Sequence, residues 1–176
     1  REMAQTNLHK YSSQERDNKR ELDVITVTLT TDAETIGDNK VIAQSIEIPY
    51  AFSTNGGRSM IQSIVLLDEV ATGPAVDILF SNADDAITQD EGKAIGEDVD
   101  NLDTAFANFV GHVNIVAGDW VDMFDSKLAT KSNIQLAVHG ASDSTSLYCH
   151  VVNRSGGNWV ATATTNMKMK IGILKD

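Results

Sequence analysis

The chain has 176 residues, and its 25 acidic residues against 14 lysines and arginines give a net charge of -11. That length suits one domain. No apolar run approaches the ~20 residues that span a bilayer, so we expect no membrane partner. The acidic balance disfavours nucleic acid, because affinity for duplexes comes from Lys and Arg on phosphates. The single cysteine, Cys149, cannot form an internal disulfide.

The excess acid is concentrated in residues 68–103, which contain eleven acidic residues and one lysine. Such crowding of like charge favours an exposed, solvated loop. The alternative is a cation site, for which Asp84, Asp85 and Asp90 are weak candidate ligands. Since the stretch lacks the ordered spacing of a calcium loop, we predict no metal and no cofactor.

Residues 1–22 are polar and carry five basic and four acidic residues. They contain too few apolar side chains to offset their ordering entropy alone, so we interpret them as an N-terminal arm that a partner orders. The predicted organisation is therefore an arm over 1–22 and a β-sandwich domain over 23–176. The residues in the arm that we expect to contact a partner are Leu8, Tyr11, Arg16, Lys19 and Arg20.

From Leu22 onward the apolar residues recur with a period of two, as in half-buried strands. Ile25, Val27 and Leu29 share one face of the first strand, and the segment 60–67 is apolar on both faces, as in a central strand. Helical spacing predicts one short helix over 97–107. The predicted strands are Asp23–Thr31, Val41–Ile48, Met60–Leu67, Val76–Phe80, Gly111–Val116, Trp120–Phe124, Ile134–His139, Ser146–Asn153 and Trp159–Leu174.

Eight to ten short strands separated by turns predict an all-β fold. The pattern is typical of an antiparallel β-sandwich and not of βαβ units. We expect a jelly-roll-like arrangement, since two Greek keys in two packed sheets use eight such strands.

No residues with the spacing of a catalytic site are found, and we predict that the chain is not an enzyme. Cys149 and His150 are adjacent on a predicted strand, so their side chains point to opposite faces and neither activates the other. Cys149 aligns with Leu147 and Val151, which indicates a core position. The segment 140–144 ends in Ser where a nucleophile elbow requires Gly.

A different class of function stays open as an alternative. Trp120, Tyr148 and Trp159 could stack on sugar rings, and sandwich folds include lectins. The chain would then be a glycan-binding adhesin or receptor-binding domain.

Six short segments share their sequence character with one family of proteins: Gly56-Gly57-Arg58 before 60–68, Val76–Phe80, Asp98–Leu102, Ile115–Asp119, Ser146–Val152 and Met169–Asp176. Together they resemble capsid decoration proteins, also called cement proteins, of tailed bacteriophages, over about residues 22–176. That resemblance implies a jelly-roll-like sandwich without an active site. It also implies a homotrimer on the outer surface of the virion that binds the major capsid protein and reinforces contacts between capsid subunits.

Overall fold

The computed structural model describes residues 21–31, 34–84, 92–94 and 107–176. These residues form strands and one short 3-10 helix, η1. No helix in this part of the chain has the length and apolar character needed to cross a membrane. In chain order the elements are β1 (Glu21–Leu29), β2 (Thr35–Ile36), β3 (Val41–Ile48), β4 (Arg58–Asp68), β5 (Val76–Ser81), β6 (Phe109–Ile115), η1 (Ala117–Asp119), β7 (Trp120–Asp122), β8 (Lys127–His139), β9 (Leu147–Asn153), β10 (Trp159–Val160) and β11 (Met167–Lys175).

Two antiparallel sheets form the body of the molecule. The five-stranded sheet has the order β1-β11-β4-β8-β7, and the four-stranded sheet has the order β3-β9-β5-β6. β2 and β10 pair separately. The eight longer strands pair first with last, second with seventh, third with sixth, and fourth with fifth, as in a long hairpin rolled into two sheets. This is the topology of a jelly roll, and it confirms the predicted fold class.

The acidic stretch 68–103 begins at the last residue of β4, includes β5 and continues into the connection between β5 and β6. β5 and β6 pair as the innermost strands, so residues 82–108 connect them at the apex of the rolled hairpin. The helix predicted over 97–107 falls in this connection and, apart from residue 107, lies outside the described residues. Residues 1–20 of the predicted arm also lie outside them.

The alternation in the sequence produces the core between the sheets. Val27 and Leu29 are buried while Thr26 and Thr28 on the other face are exposed. The side chains that the two sheets bury together include Ile61, Ile64, Leu66, Ile78, Phe80, Val113, Leu147, Cys149, Val151, Met169 and Ile171. β4 is the central strand of its sheet, as predicted, although its outward side chains are only half-buried.

Several predicted strand boundaries are wrong, and three of these differences change which residues lie in strands and which in turns. The segment 159–174 is two strands rather than one, because the side chain of Asn166 accepts hydrogen bonds from the backbone N–H groups of Thr162 and Ala163 and closes a turn there. β8 begins at Lys127, seven residues earlier than expected. β7 ends at Asp122, so Phe124 lies in a turn instead of a strand.

A bulge interrupts the pairing of β8 with β4. Residues 133–135 face the single residue Gln62 of β4, and both Asn133 and Gln135 have positive φ. Beyond the bulge, Leu136 packs against Gly111 of β6. A Cβ at Gly111 would lie 2.7 Å from a methyl group of Leu136, so this close approach between the sheets requires glycine.

Candidate interaction surface

Cys149 and His150 do not form a catalytic pair. Cys149 is fully buried in the core, and burial raises the pKa of its thiol to about 12, which keeps it protonated at neutral pH. His150 is buried on the opposite face of β9. Its Nδ1 accepts the backbone N–H of Ser45 at 3.0 Å, and its Nε2 lies 3.2 Å from the hydroxyl of Ser81. The ring therefore links β3, β9 and β5.

The three aromatic residues considered for sugar stacking are not displayed together. Trp159 is buried, and its indole N–H donates to the carboxylate of Asp68. Trp120 is half-buried and donates its indole N–H to the carbonyl of Pro74 at 2.9 Å. Tyr148 is half-buried, and its pKa is raised, mainly because burial disfavours the phenolate. Trp159 cannot stack on a ligand, so the stacking set is incomplete.

The charged candidates do not converge either. Asp84 is exposed at the end of the described segment 34–84, and Asp85 and Asp90 lie outside the described residues. Within the part of the chain that the structure describes, no three His, Cys, Asp or Glu side chains are placed to share a metal ion. The predicted partner-contact residues Leu8, Tyr11, Arg16, Lys19 and Arg20 belong to the segment 1–20, which is not described.

Among the residues that the structure describes, the most exposed large apolar side chain belongs to the turn between β7 and β8, residues 123–126, here called the hairpin tip. Phe124 is 99% exposed and has φ of 83°. Met123 within the turn is 53% exposed, and Val121 just before it is 61% exposed. The turn is closed by a hydrogen bond from Met123 N to Ser126 O at 2.9 Å. A second bond, from Phe124 N to the carboxylate of Asp122 at 3.0 Å, holds the backbone at Phe124.

The base of this hairpin is clamped to the body. Trp120 is tied to Pro74 as described above, and Lys127 donates from Nζ to the carbonyl of Thr72 at 3.2 Å. Asp119 in η1 accepts from the N–H of Val116 at 3.0 Å and from Lys131 at 3.1 Å. The hydrogen bond from Val116, together with the one from Lys131, lowers the pKa of the Asp119 carboxyl. The tip is therefore presented by an ordered support.

The support is anchored in turn by a buried carboxylate, Asp68. Its two oxygens accept the backbone N–H groups of Val70, Thr72 and Gly73, the last at 2.7 Å. Gly73 has φ of 63°, and a Cβ there would lie 3.0 Å from the ring of Trp120. Asp68 thus folds the β4–β5 loop into the shape on which the ring of Trp120 rests.

A second surface feature lies at the far end of the five-stranded sheet, on the side that faces away from the core. It is a cleft of about 510 Å³, here called the end cleft. Its apolar floor consists of side chains from three adjacent strands, and charged or titratable side chains surround that floor. The floor residues are Met60, Ala137 and Leu174, and the residues at the rim include Arg58, His139 and Asp176.

Sequence reasoning missed both features. The tip carries a turn signal, since Asp122, Asp125 and Ser126 are residue types that cap turns with their side chains. The alternation of side chains through Trp120, Asp122 and Phe124 instead predicted that the strand continues to Phe124. The end cleft is formed by residues far apart in the sequence, and only the pairing of β11, β4 and β8 brings them together.

Comparisons with known proteins do not show a family for the chain. No protein-family model and no curated protein matches the chain. Among solved structures, the chain has a weak similarity to a chain of the sacbrood virus of honeybee in expansion state I. The TM-score is 0.29 with 12% identical residues, over 90% of this chain and 85% of that chain.

Proposed function

We propose that the chain is a non-enzymatic structural protein of a virion, specifically a decoration protein on the outer surface of a tailed-phage head. It would bind the major capsid protein as a homotrimer and reinforce contacts between capsid subunits. The jelly-roll topology supports this proposal because viral capsid domains use that fold, and the resemblance of the sequence to cement proteins points the same way. Fold alone does not set function, so a surface feature has to carry the proposal.

That feature is the root of the N-terminal arm. β1 is an edge strand of the five-stranded sheet. At its start Leu22 is 62% exposed and Val24 is 66% exposed, on the face away from the core. Leu22 lies opposite Leu174 of β11. Exposed apolar side chains on a sheet edge attract another protein chain.

The arm extends this surface. The 20 residues before Glu21 can span up to roughly 66 Å if extended at ~3.3 Å per residue. A segment of this length that orders on binding can cover a large surface. Three copies acting together would hold through effective concentration even where each contact is weak.

The test is co-sedimentation with empty heads of the phage that encodes the chain. We expect the full-length double variant Leu8→Ser, Tyr11→Ser to bind more weakly than the wild type, because the apolar anchors of the arm are lost. The matched control is Ser12→Ala, Ser13→Ala, which changes two neighbouring positions without removing an anchor. Deletion of residues 1–20 leaves β1 intact and should weaken binding further.

Circular dichroism and the urea midpoint establish that each variant is folded. Equal binding of the wild type and both arm variants would show that the arm is not the tether. A wild-type chain that does not sediment with heads at all would refute the decoration proposal.

A further inference from the structure

We propose that the hairpin tip of one copy inserts into the end cleft of a second copy, so that copies of the chain associate head to tail. The inference rests on the proposed assembly into a homotrimer and names the two surfaces that would form the contact. It does not depend on attachment to a capsid.

The tip has features that folding does not explain. A non-glycine residue in the left-handed region is strained, and a bulky aromatic residue there is uncommon. Phe124 combines that conformation with almost complete exposure of its ring. Glycine or asparagine would relieve the strain, and a polar side chain would avoid the exposed apolar surface. Tyr50 also combines an exposed ring with positive φ, but it is 73% exposed and has a hydroxyl that water can solvate, whereas Phe124 is 99% exposed and has no polar atom in its side chain. This difference indicates a binding surface at Phe124.

The end cleft complements the tip in chemistry. Its floor of Met60, Ala137 and Leu174 offers apolar contact for one aromatic ring, and its volume of about 510 Å³ leaves room for one. Arg58 and His139 are exposed beside that floor.

Asp122 and Asp125 flank Phe124 on the tip and are exposed. Among the residues that line the cleft, Arg58 is a cation and Asp176 is an acid, so the complementarity of charge is local. A carboxylate of the tip pairs with Arg58, and this pair sets the register of the contact.

The geometry requires a second copy. The tip precedes the first residue of β8, and the cleft contains residues from its end. Since β8 has 13 residues, these ends lie about 40 Å apart at ~3.3 Å per residue. A chain cannot fill its own cleft. The contact is heterologous, and contacts of this kind close into a ring or continue as an open chain.

The first test compares the association of full-length variants by sedimentation velocity. Phe124→Gly should weaken association by at least about 30-fold, the effect of removing a hot-spot residue. Its urea midpoint should stay the same or rise, because glycine removes the backbone strain. The matched control is Tyr50→Gly, since Tyr50 is also an exposed aromatic residue with positive φ and does not line the cleft.

Charge reversal tests the register of the contact. Arg58→Glu in the cleft and Asp125→Arg on the tip should each weaken association. The chain that carries both substitutions should recover part of it, because the opposite charges meet again across the interface.

Mixing tests the head-to-tail arrangement. Phe124→Gly disables the tip, and Ala137→Glu disables the cleft by adding bulk and acid. Each variant alone should stay monomeric, and an equimolar mixture should form a dimer and nothing larger. An oligomeric wild type that neither variant weakens would overturn the tip–cleft contact and leave the homotrimer proposal intact. A wild type that stays monomeric at every concentration would overturn both.

Discussion

Replacing the buried carboxylate of Asp68 with an amide is expected to destabilise the protein strongly. Asp68 is buried, and one of its oxygens accepts the N–H groups of Thr72 at 3.0 Å and Gly73 at 2.7 Å. The other accepts Val70 N at 3.2 Å and the indole of Trp159 at 3.3 Å. In Asp68→Asn one oxygen becomes an NH₂ group, which cannot accept either of the two bonds made at its position.

The size of the loss follows from those bonds. A hydrogen bond to a charged group contributes roughly 1.5–3 kcal/mol, and a buried donor left without a partner adds its desolvation cost. With two donors affected, the free energy of unfolding should fall by about 3–5 kcal/mol. That is a large part of the roughly 5–15 kcal/mol by which domains are stable.

Urea unfolding followed by tryptophan fluorescence measures this loss, because Trp159 and Trp120 both lie beside the affected loop. The control is Asp143→Asn, an exposed carboxylate in a turn, which should change stability by no more than about 0.5 kcal/mol. A loss below about 1 kcal/mol in Asp68→Asn would contradict the stabilisation that we assign to these hydrogen bonds.

Three further predictions test the core, the loop before β4 and the hairpin support. Because burial raises its pKa to about 12, Cys149 should resist thiol reagents in the native chain and react in urea, and fast labelling of the native chain would contradict this. The contribution of Cys149 to the free energy of unfolding should be lost as the pH rises from about 9 toward 12. Gly57→Ala places a Cβ 2.7 Å from the backbone carbonyl oxygen of Thr54 and should lower the free energy of unfolding by about 1–3 kcal/mol, whereas Gly118→Ala, with no atom within 4 Å, should leave the urea midpoint unchanged. Because the pKa of Asp119 is lowered in the folded chain, its contribution to the free energy of unfolding is present above pH 3.8 and is lost as the pH falls through the folded-state pKa. NMR titration of the carboxyl should place that folded-state pKa below 3.8.

The fold was predictable because alternation carries most of its information. From Ile25 to Leu29 in β1 and from Met167 to Ile173 in β11 every second residue is apolar, and the structure buries those side chains fully or in part. The core position of Cys149 follows from the same alternation. Turn residues between the strands then limit the fold to a sandwich or barrel.

The boundaries were less predictable because side-chain hydrogen bonds set them. The turn that separates β10 from β11 depends on the side chain of Asn166, and the one that ends β7 depends on that of Asp122. Neither hydrogen bond produces a periodic pattern of apolar residues from which the turn could be predicted. The first half of β8 was missed because a central bulge with positive φ at Asn133 and Gln135 breaks its alternation.

The display of the tip and the stability of the body are linked by one series of contacts. Asp68 holds Gly73, the ring of Trp120 rests on Gly73, and Trp120 begins the strand that leads to Phe124. An aromatic ring on a loose loop would lose conformational entropy when it is bound, and that loss weakens binding. A clamped hairpin avoids most of this cost. Opening the β4–β5 loop should therefore weaken contacts made through Phe124 even though no atom of the tip is changed.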